Sequence, residues 1–184
     1  MTTILVDTRQ QMQNKSHKAK EQYFLEHGYK TMHSKLPIGD YSRLDNMSVV
    51  VDTKDGLKEV CQNLCSSREE HERFRAECLK AREHGIKLIV LVEEDETDEN
   101  GHYLINDIRD VRKWQNPRRK IRTKKNGQWV MTYPKATTGL TLMKTMYTMA
   151  TKYDCVWSFC RKKDAGKKIL ELLGEESNGS INEH

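Results

Sequence analysis

The feature that most constrains the fold is a set of short apolar runs separated by segments of helical periodicity. The runs are ILVDTR near the N-terminus, SVVVDTK in the first third and KLIVLVEE near the middle, and each ends in charged residues. The last run is apolar from Leu88 to Val92, which is typical of a strand covered on both faces. Strands that alternate with helices predict a layered α/β domain.

Helical spacing surrounds these runs. Residues 18–27 are predicted as a helix that turns Ala19, Tyr23 and Phe24 inward and ends at Gly28. After a predicted N-cap at Asp55, one long helical face is expected as far as position 85. Further helices are predicted around residues 140–150 and 165–173, on either side of a strand in CVWSF. The expected order is therefore β-α-β-β-α-β-α-β-α.

Length and composition set the class of protein. A chain of 184 residues is expected to form one domain over residues 1–174, with a flexible tail at 175–184. Its five cysteines show no disulfide framework, and the pair Cys61 and Cys65 is interpreted as helical core rather than as zinc ligands, which favours a cytoplasmic protein. No apolar run approaches the roughly 20 residues that span a bilayer, so no membrane contact is expected. No GxxxxGK[ST] motif occurs, so no nucleotide cofactor is expected.

Two extended runs carry the candidate chemistry. YKTMHSKLPIGDYSRL and SVVVDTK are predicted to pair as a hairpin, with Asp40 at the bend of the first strand. Asp52 and Lys54 are two positions apart on the second strand and therefore share a face. Two carboxylates can hold a hard divalent ion through oxygen, and the carbonyl of Thr53 is a candidate third ligand. A nearby lysine can orient the attacking water or offset charge in the transition state.

Several further residues are candidates for the same site. Asp7 ends the first strand and can supply a further carboxylate, and Arg9 can contact a phosphate. On the long helix, Arg73 and Glu77 are four residues apart, so they either support the site from its inner face or form an exposed ion pair.

A basic segment follows the acidic stretch EEDETDEN. Between Arg109 and Lys125 the chain has nine Lys or Arg residues and one acid, a local charge of +8 against +5 for the whole chain. Such a segment favours nucleic-acid contact, with Trp114 and Trp129 able to stack on bases. The alternative is a solvated loop whose tryptophans pack on the body. Asn126-Gly127 predicts a hairpin turn. The candidate DNA-binding residues are Arg112, Lys113, Arg118, Arg119, Lys120, Arg122, Lys124 and Lys125.

The order VDTRQ, LPIGDY, VVVDTK, a long helix and LIVLVEE resembles the nuclease domain of the ERCC4 (XPF/MUS81-type) endonucleases, within the PD-(D/E)xK superfamily. That family has approximately V-D-x-R-E, L-x-x-G-D-Y and E-R-K-x-x-x-D. The resemblance covers about residues 3 to 173, with residues 95–135 as an insertion. It implies a restriction-endonuclease-like fold, with a central mixed sheet flanked by helices.

The resemblance also implies an activity. It implies a Mg²⁺- or Mn²⁺-dependent endonuclease that cuts branched or flap DNA, acts in repair or recombination, and forms a homodimer. Asp7 and Arg9 match the first motif, Asp40 matches the GD acid, and Asp52 and Lys54 match the outer residues of E-R-K. Family members from eukaryotes carry a further helix-hairpin-helix domain, so a stand-alone protein of bacterial or phage type is expected.

This chain departs from the family pattern at three positions. Gln10 replaces a Glu, Thr53 replaces the Arg of E-R-K, and Lys58 is found where the later Asp is expected. These departures leave a second hypothesis open, in which the domain binds DNA or a partner nuclease without cutting.

Overall fold

The structure is a computed structural model that describes residues 2–9, 15–119 and 121–174, without the side chains of Lys15 and residues 121–125. It contains a six-stranded mixed sheet flanked by helices, so the predicted fold class is confirmed. The strands are β1 Thr3–Asp7, β2 Lys30–Ser34, β3 Tyr41–Arg43, β4 Val49–Lys54, β5 Lys87–Glu93, β6 Ile121–Lys125, β7 Gln128–Met131 and β8 Val156–Cys160. The helices are α1 Lys15–Glu26, α2 Gly56–Cys65, α3 Arg68–Glu83, α4 Gly139–Tyr153 and α5 Ala165–Leu172.

The sheet order is β2-β1-β3-β4-β5-β8. Strand β3 is antiparallel to both β1 and β4, whereas β2, β5 and β8 each run parallel to a neighbour. The predicted pairing of the two extended runs is therefore found at β3 and β4, while β2 pairs with β1. Because β1, β4, β5 and β8 point in the same direction, their C-terminal ends meet at one edge of the sheet.

Both faces of the sheet are buried, which explains the nearly continuous apolar runs. Alternate residues of β4 and β5 point to opposite faces. Val50 and Val90 pack in a core with α2, α3 and α4, whose buried residues include Leu57, Phe74 and Met146. Val51 and Leu91 pack in a second core with α1 and α5, whose buried residues include Phe24 and Ile169.

The expected long helix after β4 is in fact two helices. Ser67 is extended and accepts a hydrogen bond from the Glu70 amide, so it caps α3 and ends the preceding turn. Asp55 occupies the predicted N-cap position of α2, but its side chain makes no capping hydrogen bond. Instead, the Leu57 amide donates to Oε2 of Glu94 at 2.9 Å, so a side chain from the end of β5 caps α2.

The predicted inner face of α1 is partly wrong. Phe24 is fully buried and Tyr23 is half-buried, as expected, but Ala19 is exposed. The neighbouring Lys20 is 4% exposed and takes the inner position. Lys20 lies one helical turn before Phe24, and helical residues four apart lie on the same face.

The basic segment is anchored in the core before it reaches the hairpin. Val111 and Trp114 are buried against α4, in the core on the α2–α3–α4 face. The 3-10 helix Ile108–Lys113 and the N-terminus of α4 are in close contact at Gly139. A β-carbon on Gly139 would lie 2.7 Å from the Trp114 carbonyl oxygen and 2.9 Å from that of Arg112. Beyond this anchor, β6 and β7 form the predicted hairpin, with Asn126 and Gly127 at positive φ.

Within the described ranges, no helix has the length and apolar character needed to cross a membrane. The tail predicted at 175–184 lies outside the described residues.

Gly139→Ala is expected to destabilise the protein by about 1–3 kcal/mol, because a methyl group there would lie closer than 3.0 Å to backbone carbonyl oxygens and would force the backbone to shift. Urea unfolding followed by circular dichroism measures the change. Lys144→Ala, on the exposed side of the same helix, is the control and is expected to change stability by less than about 0.5 kcal/mol. Equal stability of the two variants would show that the close contact carries no free energy.

Candidate active site

The backbone around Asp40 brings three strands together. The Asp7 amide donates to the Asp40 carbonyl at 2.8 Å, and the Asp40 amide donates to the Val51 carbonyl at 2.9 Å. Asp40 is therefore fixed between the end of β1 and β4. Gly39 has a φ of +64°, and a β-carbon there would overlap the Val50 side chain. Only glycine fits this bend, as expected from its position before the candidate acid.

The Asp40 carboxylate is held by Thr53. Its Oδ2 accepts a hydrogen bond from the Thr53 amide at 2.8 Å and another from the Thr53 hydroxyl at 2.6 Å. Thr53 is the residue that replaces the Arg of the family motif. In this chain it positions a carboxylate through its side chain, a role that the sequence analysis did not foresee.

Asp52 and Lys54 form a buried ion pair on one face of β4. The Lys54 Nζ lies 2.7 Å from Oδ2 of Asp52, and the two side chains are 12% and 7% exposed. The contact lacks hydrogen-bond geometry, so Oδ2 is a buried oxygen without a directed hydrogen bond from the described residues. Glu59 of α2 is near the same amine, with Oε1 at 3.9 Å.

Burial controls the electrostatics of this pair. Burial raises the pKa of Asp52 to about 7; Lys54 opposes the rise, and the nearby Asp40 and Glu77 add to it. Burial alone would lower the pKa of Lys54, but Asp52 outweighs this effect and holds it above its ordinary value. Lys54 is therefore protonated at neutral pH. A buried acid with a pKa this high is typical of functional sites.

Both carboxylate oxygens of Asp7 accept hydrogen bonds from neighbouring residues. Its two oxygens accept hydrogen bonds from the Arg9 amide and guanidinium, at 2.6–2.8 Å, and from the Leu36 amide at 2.8 Å. Arg9 also donates to the Leu36 carbonyl at 3.0 Å. Asp7 thus ties the end of β1 to the segment that leads to Asp40.

Helix α3 forms the opposite wall. Glu77 accepts a hydrogen bond from the Gly39 amide at 3.1 Å, so it supports the bend that positions Asp40. Arg73 forms an ion pair with Glu70 rather than with Glu77. A cleft of about 640 Å³ lies between this helix and the strand ends, and it is lined by all seven of the expected side chains, namely Asp7, Arg9, Asp40, Asp52, Lys54, Arg73 and Glu77.

A smaller cavity of about 220 Å³ adjoins the same acids from the α1 side. It is lined in part by Lys20 and Glu93, a buried ion pair that the sequence analysis missed. Burial raises the pKa of Glu93, although Lys20 opposes the rise. The only sequence signal for Lys20 is its spacing from Phe24, because an isolated lysine on a helix is ordinarily solvent-exposed.

The donor set suits a hard cation. No three His, Cys, Asp or Glu side chains in the described part of the chain already form a metal-holding group. Asp40 and Asp52 are two carboxylates in one open cleft, and Oδ2 of Asp52 has no directed hydrogen-bond donor among the described side chains and backbone groups. A buried carboxylate oxygen of this kind is favourable for a divalent ion that takes carboxylate, carbonyl and water oxygens.

The candidate DNA-binding residues have different environments. Arg112 is exposed, Lys113 is paired with Asp110 at 2.7 Å, and Arg119 donates to the carbonyls of Pro134 and Ala136. Arg118 packs over the Tyr133 ring. Lys120 lies outside the described residues, and only the backbone is described for Arg122, Lys124 and Lys125.

The two tryptophans of the basic segment differ. Trp114 is 6% exposed and belongs to the core, so its expected role in base stacking is wrong. Trp129 is 62% exposed on β7.

Comparison with known proteins shows the fold. The solved structures that match this chain include XPF from Aeropyrum pernix and XPF from Aeropyrum pernix in complex with DNA. The first has a TM-score of 0.56 and a sequence identity of 16%, and the match covers 95% of this chain. The second has a TM-score of 0.57 and a sequence identity of 14%, and the match covers the whole chain. The chain has the fold of XPF. It spans about two thirds of the length of these XPF chains, at 66% and 68%. No family model and no curated protein matches the sequence.

Asp7→Asn is expected to reduce stability by about 1–3 kcal/mol at pH 7, because it weakens charge-assisted hydrogen bonds to a buried carboxylate. Burial raises the pKa of Asp7, but the Arg9 and Leu36 hydrogen bonds outweigh it and hold the pKa below its ordinary value. The stabilisation is therefore present above the unfolded pKa of about 4 and is lost as the pH falls through the folded value. Chemical unfolding from pH 3 to pH 7 measures it.

The matched control is Asp45→Asn. Asp45 has the same two-residue spacing to an arginine, Arg43, and the same two-point contact, but it is exposed. A much smaller loss of stability is expected there, because solvent screens the pair. Equal losses at Asp7 and Asp45 would contradict the role of burial.

Proposed function

We propose that this chain is a Mg²⁺- or Mn²⁺-dependent endonuclease that hydrolyses phosphodiester bonds in DNA. The observation that carries the proposal is that Asp40, Asp52 and Lys54 line one open cleft in which an oxygen of Asp52 is buried without a directed hydrogen bond. The XPF fold supports the proposal, as does the resemblance of the motifs to the ERCC4 nucleases.

Asp40, Asp52 and the backbone carbonyl of Thr53 would hold the ion. The chemistry that such an ion supplies when bound is polarisation of the phosphate and acidification of a water molecule. Thr53 keeps one oxygen of Asp40 occupied and so orients the other oxygen toward the cleft. Asp7 holds Arg9 at the cleft wall and acts through its neighbours rather than as a ligand, because both of its oxygens already accept hydrogen bonds.

The cations of the cleft have distinct roles. Lys54 keeps its proton at neutral pH, so it serves as a hydrogen-bond donor and fixed charge for the attacking water or the phosphate, not as a base. Arg9 uses Nε and Nη2 to bind Asp7, and its side chain is 58% exposed. Its remaining N–H groups can donate to a phosphate oxygen.

DNA is the proposed substrate. One of the two matching XPF structures is a complex with DNA. The hairpin β6–β7 carries basic residues on one strand and the exposed Trp129 on the other, a combination that suits a phosphate backbone with unstacked bases. We extend the proposal to branched or flap DNA and to a homodimer, as the family resemblance implies.

Asp40→Asn and Asp52→Asn are each expected to lower the rate of DNA cleavage in Mg²⁺ by about 100-fold or more, because each removes a charge that holds the ion. Binding of DNA in EDTA is expected to remain within about twofold. A panel of duplex, flap, fork and single-stranded DNA, with RNA copies, measures cleavage in Mg²⁺, Mn²⁺ or EDTA.

Asp45→Asn is the control. Asp45 is an exposed acid two residues after the end of β3, and its variant is expected to cleave DNA at the wild-type rate. Wild-type cleavage by the Asp52→Asn variant would overturn the metal assignment. Salt-sensitive binding without cleavage by the unmodified protein in any metal would instead favour the second hypothesis, a binding module without catalysis.

Trp129→Ala is expected to weaken binding of single-stranded DNA by about 1–3 kcal/mol, or between about fivefold and 150-fold, because an indole stacks on one base. Fluorescence anisotropy in EDTA measures the affinity. Leu25→Ala removes an apolar side chain of similar exposure, 55% against 62%, from α1, and it is expected to bind normally. Normal binding by Trp129→Ala would exclude the stacking role.

A further inference from the structure

A third cavity, of about 390 Å³, lies between α2 and the anchored part of the basic segment. We call it the cationic pocket. Side chains from three parts of the chain line it, among them Lys58, Cys61, Cys65, Asn116, Arg118 and Lys135. None of these side chains lines the cleft that contains Asp52.

The charge of the cationic pocket is one-sided. Lys58, Arg118 and Lys135 line it, and among the residues that the structure describes no acidic side chain does. None of the three forms an ion pair within the described ranges, although other cations of the same segment do. Arg109 is paired with Asp107, and Lys113 is paired with Asp110. Three uncompensated cations around one cavity favour an anionic ligand.

Lys58 occupies a position in α2 that is unfavourable for a positive charge. It lies in the first turn of α2, where the helix dipole disfavours a positive charge. It is also the position at which the ERCC4 pattern has an acid. The adjacent Glu59 contacts Lys54 and lines the smaller cavity that adjoins the cleft, whereas Lys58 lines the cationic pocket. The first turn of α2 therefore lies between the cationic pocket and the candidate active site.

The wall opposite α2 is held in a defined shape. Asn116 is 5% exposed, and its amide donates to the Thr137 carbonyl at 2.9 Å while its oxygen accepts from the Arg118 amide at 3.0 Å. The Arg118 guanidinium lies 4.8 Å from the centre of the Tyr133 ring. A guanidinium held in this way loses less conformational entropy when it binds an anion.

We propose that the cationic pocket binds a phosphate group of the nucleic-acid strand whose cleavage is assigned to the cleft, so this inference rests on the proposed function. A guanidinium flanked by two ammonium groups matches the charge and the oxygen geometry of phosphate. The cavity is much larger than a phosphate group, so it also has room for the attached sugar. The pocket thereby holds the strand along one face of α2, while Glu59 of the same helix contacts Lys54 on the side of the candidate active site.

Two cysteines supply a reporter for occupancy. Cys61 and Cys65 are half-buried free thiols in the wall of the pocket. Hydrogen bonding with Cys61, Thr145 and Thr137 lowers the pKa of Cys65 below its ordinary value. A lowered pKa makes a thiol more reactive toward iodoacetamide at neutral pH. Ionisation of this one thiol would offset at most one of the three cations.

The first experiment compares two double variants of equal charge. Lys58→Gln with Lys135→Gln removes two pocket cations, and Lys30→Gln with Lys87→Gln removes two exposed lysines at the N-terminal ends of β2 and β5. Binding of single-stranded DNA is measured by anisotropy in EDTA across a salt series. Each lost phosphate contact lowers the slope of log K against log salt by about 0.7. The two pocket lysines are proposed to meet the same phosphate, so the pocket variant is expected to lose up to about 0.7 from the slope, and the control variant close to zero.

The second experiment measures alkylation of Cys65 by iodoacetamide, with peptide mass spectrometry as the readout. Bound DNA is expected to slow the reaction at least about tenfold relative to the protein without DNA. Protection by a linear strand with a 5′-phosphate, but not by one with a 5′-hydroxyl, identifies a terminal phosphate. Equal protection by circular single-stranded DNA identifies an internal phosphate.

Equal salt slopes for the two double variants, or unchanged alkylation of Cys65 in the DNA complex, would overturn the inference, and so would an absence of DNA binding. Both measurements are made without metal and do not depend on cleavage. If the protein cuts DNA but neither measurement shows the expected change, the proposed function stands and the phosphate site is contradicted. If both measurements show the expected change but the protein never cuts DNA, the phosphate site stands and the proposed function is contradicted. Thermal melting confirms that both double variants are folded.

Discussion

The burial of the Asp52 carboxyl group beside Lys54 is the constraint on which the rest of the site depends. A carboxylate removed from water is unfavourable unless a charge or hydrogen bonds compensate it. Lys54 supplies one charge but no directed hydrogen bond to Oδ2. The pair is therefore only partly compensated in the protein alone.

The surrounding contacts make that arrangement rigid. Thr53 fixes Asp40, Glu77 fixes the bend at Gly39, and Asp7 fixes the segment before it. None of these contacts involves Asp52, yet each restricts a residue that lines the same cleft or the segment that leads to it. Positioning of this kind lowers the reorganisation needed when charge develops in a reaction. The fold thus concentrates polar side chains where β1, β4 and β5 end, next to a core that is apolar on both faces of the sheet.

The sequence predicted what depends on local spacing. Asp52 and Lys54 share a face because side chains alternate along a strand, and Asn126-Gly127 forms a hairpin turn because both residues tolerate positive φ. Hydrophobic patterning located β1, β4, β5 and β8 and the helical regions of the body, but it left β2 and β3 as one extended run and α2 and α3 as one helix. The break between α2 and α3 had a local signal, Ser67 followed by Glu70, which the continuous apolar face concealed.

What the sequence did not predict depends on partners that are distant along the chain. Lys20 is buried because Glu93 meets it from β5, and Glu94 caps α2 from the same strand end. Trp114 resembles a base-stacking residue in sequence, because its neighbours are cationic, but its side chain is buried in the core. Thr53 replaced a motif residue, and only the fold shows that its hydroxyl faces Asp40. Contacts between residues far apart in the chain leave no periodic pattern in the sequence from which they could be predicted.

The anchoring of the basic segment has a consequence for how the chain can be shortened or transplanted. A segment that looks like an insertion from its composition contributes Val111 and Trp114 to the core and contacts α4 at Gly139. Excision of the whole segment would therefore remove part of the interior, whereas excision between residues 120 and 132 would remove a hairpin whose strands pair with each other. The hairpin is thus the modular unit, one that can be exchanged between scaffolds, and the preceding stretch belongs to the body of the protein.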